Sequence, residues 1–228
     1  MNALKTNLPR RSARQRARLA SLGLLLLAAV PAARAQAVIE GQVTLAAAPA
    51  APPPGQRYQN PAGGAIPPPE PPAAIVYLAG KFPEPATPPR VQLPQKNFRF
   101  ATEVLPVRKG TTIEFPNDDD FYHNVFSYSK PKRFDLGRYL KTEKPPGQLF
   151  DQPGVVRLYC EIHEHMRCTV LVLDTPHFTK TDVAGKFRLT QLPAGTYTLT
   201  AWLGEKIIRE QKVELHDGQT LRVDFPAP

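Results

Sequence analysis

Cys160, His163 and Met166 fall within seven residues of one another in the run Leu158-Tyr-Cys-Glu-Ile-His-Glu-His-Met-Arg167. Packing three metal-capable side chains so closely calls for one tight loop, and the apolar stretches beside it, Val155 to Tyr159 and Thr169 to Leu173, read as two strands joined by that loop. A fourth candidate donor, His123, stands far upstream in Phe-Tyr-His-Asn-Val-Phe. To meet it, the loop must sit in a fold that brings distant strands together, and a β-sandwich does so. A thiolate, two imidazoles and a thioether form the donor set of a mononuclear blue-copper site, with His and Cys in a trigonal plane and Met as a long axial ligand.

The first 37 residues are read apart from that fold. A basic head (Arg10, Arg11, Arg14, Arg16, Arg18) precedes an apolar stretch from Leu19 to Val30 and a small-residue exit at Ala33-Arg-Ala-Gln-Ala37. This order predicts a secretory signal peptide, cleaved after Ala37 or, as second choice, after Ala35, and a periplasmic destination. The apolar run is short for a membrane span. The Arg10-Arg11 pair raises a twin-arginine route, but Arg14 so soon after it favours general secretion. Seven cations and no acids precede Val38, so the formal net charge of +9 falls to about +2 once they are subtracted. No nucleic-acid reading can be built on such a balance.

The chain has two cysteines, Cys160 and Cys168. In an oxidising compartment they could form a disulfide across the loop, giving a metal-free structural protein. A disulfide gives no reason for His and Met to stand at offsets of three and six from Cys160. Copper ligation is therefore the leading expectation, with Cys168 a spare, buried thiol. His165 is expected to point away from the metal towards solvent, and Asp118-Asp-Asp120 to be a solvated acidic loop. Together with Glu161 and Glu164, those acids would make the rim of the site negative and steer a basic redox partner. Catalysis finds little support: Ser127 and Ser129 lack a nucleophile-elbow context, and four protein ligands leave a metal no open position. The protein is not expected to be an enzyme.

Composition divides the chain. Val38 to Leu45 alternates like a strand, Ala46 to Pro72 is rich in Ala, Pro and Gly, and Ala74 to Leu78 returns to strand character. From Arg90, short strands recur at Val91–Leu93, Val104–Val107, Thr111–Phe115, Asn124–Tyr128, Leu149–Phe150, Val155–Tyr159 and Thr169–Leu173. Ser129 to Pro146, with its Lys, Arg and Pro residues, reads as an irregular surface loop with room for one short helix. After Asp174, turn-and-strand patterns around Gly185, Gly195 and Gly218 form a second β unit. The expected class is all-β, with two sandwiches.

Gly110-Thr-Thr-Ile-Glu-Phe-Pro-Asn117, His123-Asn-Val-Phe126, Pro153-Gly154 and Cys160 to Arg167 together resemble the cupredoxins of the plastocyanin and amicyanin group, over about residues 90–174. The short Cys-x-x-His-x-x-Met-Arg spacing looks more like amicyanin. The resemblance implies a Greek-key sandwich in which His123, Cys160 and His163 are strong copper ligands and Met166 the axial one. Asn124 and Asn117 would support them from behind, with Asn124 pinning the two ligand segments together. Ile162 departs from the Pro often found there, and Glu161 and Glu164 put acids into the loop. The tail, Thr181 to Leu189 and Leu192 to Leu199, resembles carboxypeptidase-regulatory-like (transthyretin-like) sandwiches. As a whole the chain is similar to exported plastocyanin-like proteins grouped with methylamine utilisation.

These readings imply a periplasmic type 1 copper electron carrier passing electrons between partners such as a c-type cytochrome or a dehydrogenase. A copper-delivery protein on the same scaffold is the alternative. Regulatory-like sandwiches begin with an Ile-x-Gly-x-Val strand, and that signal, Ile39-Glu-Gly-Gln-Val43, lies upstream of the copper region. The expected organisation is therefore a leader over 1–37, strands over 38–80 that pair with the tail, a copper domain over 90–174 inserted between them, and the tail over 175–228.

Overall fold

The computed structural model describes residues 36–46, 68–204 and 208–227, and every regular element among them is a β-strand. Nearly all of the expected leader, and Ala47 to Pro67 of the Pro-rich stretch, lie outside the described residues. In chain order the first strands are β1 (Ala37–Gln42), β2 (Ile75–Ala79), β3 (Arg90–Gln92), β4 (Gln95–Lys96), β5 (Arg99–Phe100), β6 (Val104–Arg108) and β7 (Thr111–Glu114). There follow β8 (His123–Ser129), β9 (Lys132–Tyr139), β10 (Gly147–Phe150), β11 (Gly154–Tyr159) and β12 (Arg167–Leu173). The tail carries β13 (Phe178–Lys180), β14 (Lys186–Leu192), β15 (Gly195–Trp202), β16 (Ile208–Leu215) and β17 (Thr220–Arg222).

Two sandwiches result. The first packs a sheet of order β10-β7-β3 against one of order β6-β12-β11-β8-β9, with β4 and β5 as a small hairpin beside them. Its core contains Phe100, Ile113, Phe115, Val125, Phe150, Val156, Leu158, Val170 and Val172. Each large apolar side chain fully buried there stabilises the fold by about 1.5–3 kcal/mol. The second sandwich packs β14-β1-β17 against β13-β2-β15-β16. Ile39, Val76, Leu78, Leu189, Leu199 and Val213 are among its core residues. β1 runs antiparallel to β14 and parallel to β17, and β2 lies between β13 and β15.

β12 serves both cores. Alternation sends Val170 and Val172 into the first sandwich, while Leu171 and Leu173 face Ile75 and Trp202 in a third apolar cluster, joined by Tyr77, Val104, Val155 and Phe178. Burial on both faces explains why the strand reads Val-Leu-Val-Leu without the polar alternation of a half-exposed strand. A polar clamp reinforces this junction. Lys180 Nζ donates to Glu70 Oε2 (3.1 Å) and to Thr102 Oγ1 (2.8 Å), tying the segment before β2 and the end of β13 to the segment before β6.

One expectation fails outright. The stretch expected to be irregular contains β9, eight residues paired antiparallel with β8 from His123↔Tyr139 to Ser129↔Lys132. β9 is an edge strand, and its outward positions carry Arg133, Asp135 and Arg138. Charge on an open edge discourages pairing with other chains. The same charges hid the alternation of Phe134 and Leu136, which pack against the core.

Gly41 is required by close approach. A Cβ built there would lie 1.7 Å from the backbone oxygen of Val223, where the chain leaving β17 passes β1. Neither backbone can move without breaking Val223 N to Glu40 O, 2.9 Å. Gly41→Ala should therefore lower stability by about 2–3 kcal/mol through overpacking, read as a drop of several degrees in the thermal midpoint. An unchanged midpoint would mean that the two segments separate easily.

Candidate metal centre

His123 opens β8, and the register of β8 on β9 slips between Asn124 and Phe126. This bulge turns His123, Asn124 and Val125 all inward, the kind of re-aiming that bulges provide beside functional sites. Cys160 follows the last residue of β11, and His163 lies in the turn that returns the chain to β12. Met166 N donates to His163 O at 2.8 Å, closing that turn. Met166 itself is buried in the first core, beneath the loop.

Three of the four expected donors converge. His163 Nδ1 lies 3.2 Å from His123 Nδ1. Cys160 Sγ lies 4.0 Å from His123 Nδ1 and 3.8 Å from His163 Nδ1. All three residues are buried, and their donor atoms fall within 4.8 Å of one another. The point equidistant from the three atoms is about 2.1 Å from each, within the range of metal bonds to imidazole nitrogen and a little short for thiolate. The triangle thus fits one ion without rearrangement of the chain.

The cysteines are both free, so the disulfide considered as an alternative is not formed. The reason is register. Cys168 stands opposite Leu158 within the β11–β12 ladder, while Cys160 lies beyond the end of β11. Cys168 is enclosed, and burial pushes its thiol well above the usual range, so it remains a neutral, inert side chain.

The supporting residues hold both donor segments. Asn124 Oδ1 accepts from Glu161 N (3.3 Å), and its Nδ2 donates to Asp135 Oδ1 (2.7 Å) and Gly137 O (3.2 Å). Asn117 Nδ2 donates to Phe121 O (2.8 Å) and Tyr139 O (3.0 Å), while its Oδ1 accepts from Asp119 N (3.0 Å). The bend before His123 is shaped by these bonds. His165 is half-buried, with Nε2 2.9 Å from Phe98 O, so it braces the β4–β5 turn where solvent exposure was expected. Rings of Phe98 and Phe121 stack at 4.3 Å and meet both imidazoles edge-on, Phe98 at 5.1 Å from His163 and Phe121 at 5.2 Å from His123. This aromatic pair keeps water from that side of the donors.

The acidic run departs most from expectation. Asp120 is exposed and pairs with Lys141 (2.6 Å), and Glu161 pairs with Arg138 (2.8 Å), so part of the expected negative rim is compensated. Asp119 is buried instead, with Oδ2 2.9 Å from His123 Nε2. Burial raises the pKa of this carboxyl, but hydrogen bonds from His123 and the amides of Asn97 and Phe98 outweigh it and hold the group below its ordinary value. Burial lowers His123, and Asp119 only partly offsets it. An ionised carboxylate accepts only, so His123 carries its proton on Nε2 and presents the Nδ1 lone pair to the site. Nothing in the sequence set Asp119 apart from its two acidic neighbours.

A carboxypeptidase regulatory-like domain model matches residues 167–227, from β12 through β17. No curated protein matches the chain in a sequence search. Among solved structures it is similar to a purple cupredoxin from Nitrosopumilus maritimus (26% identity, 37% of this chain and 98% of that one, TM-score 0.31). It is also similar to amicyanin from Paracoccus versutus (20% identity, 42% of this chain and 96% of that one, TM-score 0.34). A copper-containing nitrite reductase from Thermus scotoductus shares 21% identity over 58% of this chain, which spans 28% of that protein (TM-score 0.35).

Burial, with the facing rings of His123 and His165, pushes His163 down from 6.5 to about 4. His123 and His165 are lowered as well. Unfolded imidazoles take up protons near 6.5, while the native His163 resists until about 4, so stability present above 6.5 is lost as the pH falls through this window. Thermal unfolding of the metal-free protein should show that decline, and His163→Gln should make it shallower. Equal slopes in the two proteins would remove His163 from the account.

Proposed function

We propose that this is an exported electron carrier holding a single type 1 copper ion in its first sandwich, which is cupredoxin-like. The observation that carries the reading is the buried triangle of His123 Nδ1, His163 Nδ1 and Cys160 Sγ. Bound copper supplies one-electron cycling between Cu(I) and Cu(II). His123 and His163 offer imidazole nitrogen, which suits the oxidised ion, and Cys160 offers a thiolate, which suits the reduced one. Met166, buried in the same core, would hold the ion as a weak fourth donor through its thioether. The Phe98–Phe121 pair limits water, and the Asn124 bonds hold the donors at one compromise geometry, so little need move when an electron arrives or leaves.

The role is transfer, not catalysis, since with Met166 as a fourth donor the ion would have no open position for a substrate. Partners of the carrier are redox proteins such as a c-type cytochrome or a dehydrogenase. Export follows the leader reading. Ala37 is buried in β1 opposite Leu192, which favours cleavage after Ala35, since that leaves the strand whole.

Addition of Cu(II) should produce intense absorption towards the red end of the visible, from sulfur-to-copper charge transfer. Cys160→Ser should abolish this band and Cys168→Ser preserve it. Met166→Leu should keep copper and colour but raise the reduction potential, because losing a weak donor disfavours Cu(II). A colourless wild-type protein would refute the type 1 assignment. Copper that leaves to an acceptor on reduction, without cycling while bound, would replace the carrier with the delivery protein.

A further inference from the structure

Asp119 is buried and accepts three hydrogen bonds: His123 Nε2 at 2.9 Å, Asn97 N at 2.9 Å and Phe98 N at 3.2 Å. The two amides come from consecutive residues in the left-handed region, Asn97 at φ 53° and Phe98 at φ 60°. Asn tolerates that conformation, but for a bulky Phe it is an outlier. Such residues are strained and persist where surrounding structure over-determines them. Here the strained turn aims two N–H groups at one carboxylate, a backbone concavity suited to an anion. The same conformation lays the Phe98 ring on Phe121, and His165 Nε2 meets the Phe98 carbonyl. Carboxylate, strained turn and aromatic cover form one unit behind His123.

We propose that Asp119 is a positioning residue that biases the metal towards its oxidised state: it holds His123 with Nδ1 facing the site, and its buried negative charge favours Cu(II) over Cu(I). This rests on the copper reading above. A fixed anion attracts a doubly charged ion more strongly than a singly charged one, and burial weakens the screening between them. A carboxylate on the far nitrogen also makes the imidazole a better donor, and losing such a partner typically costs 10–100-fold in metal affinity. Loss of the anion should therefore weaken Cu(II) binding more than Cu(I) binding.

The test compares wild type with Asp119→Asn, measuring affinity for each copper ion by chelator competition and the potential by redox titration. The variant should load copper but lose at least tenfold more affinity for Cu(II) than for Cu(I), a rise of about 59 mV in potential for each tenfold difference. A lower thermal midpoint with an unchanged potential would show a purely structural carboxylate and overturn the proposal. Should the variant fail to fold, nitrogen-15 NMR of the wild-type protein, Cu(I)-loaded and metal-free, decides. An exchange-protected His123 Nε2–H supports the assignment, and a proton on Nδ1 or a freely exchanging one overturns it. Wild-type protein that takes up no copper refutes the carrier reading, and the metal-free spectrum then decides the Asp119–His123 assignment alone.

Discussion

The amide of Glu161 donates to Asn124 Oδ1 across a chain separation of 37 residues, and the donor triangle depends on that connection. On one side it reaches the residue after His123, on the other the residue after Cys160. Asn124 also donates into β9, so a single side chain joins β8, β9 and the donor loop. β11 meets β8 in register only at Tyr159↔Phe126, leaving the last step towards the donors to side chains. The interior Asn is worthwhile because every polar atom of its amide finds a partner; a half-satisfied amide there would cost more than it held.

Beneath the donors, rigidity comes from packing. Met166 and Cys160 belong to the same apolar cluster as Phe115 and Leu158, so the loop is seated on the core of the first sandwich. β12 carries the chain from that loop straight into the junction with the second sandwich, where Leu171 and Leu173 meet Trp202. A disturbance at the junction thus has a short covalent route to the donor loop, along seven residues of one strand.

Residues whose partners are near in sequence were legible from the chain alone. Cys160, His163 and Met166 announce a tight loop because their donors crowd one turn, and His123 stood out because the chain already offered the other donor types of the same set. β9 was concealed because Lys132, Arg133, Asp135 and Arg138, with Gly137, interrupt the apolar positions Phe134, Leu136 and Tyr139 that mark the period. Asp119 was concealed for a subtler reason. Three consecutive acids look uniformly solvated, and nothing in their composition shows that the Asn117 bonds bend the chain so that the middle one turns inward. The Asn97-Phe98 turn was equally silent, since no Gly marks its left-handed residues.

The placement of β1 has a consequence for how the chain reaches this fold. β1 lies between β14 and β17, so its partners are the fourteenth and seventeenth strands to be synthesised. Contacts that span most of a chain form slowly, because much loop entropy must be surrendered before any pairing rewards it. Strands from β3 to β12, by contrast, find every sheet neighbour among themselves and can condense first. Until the tail emerges, β1 and β2 wait with open edges beside a first sandwich that is already complete. The oldest segment of the fold in order of synthesis is therefore the last to be locked.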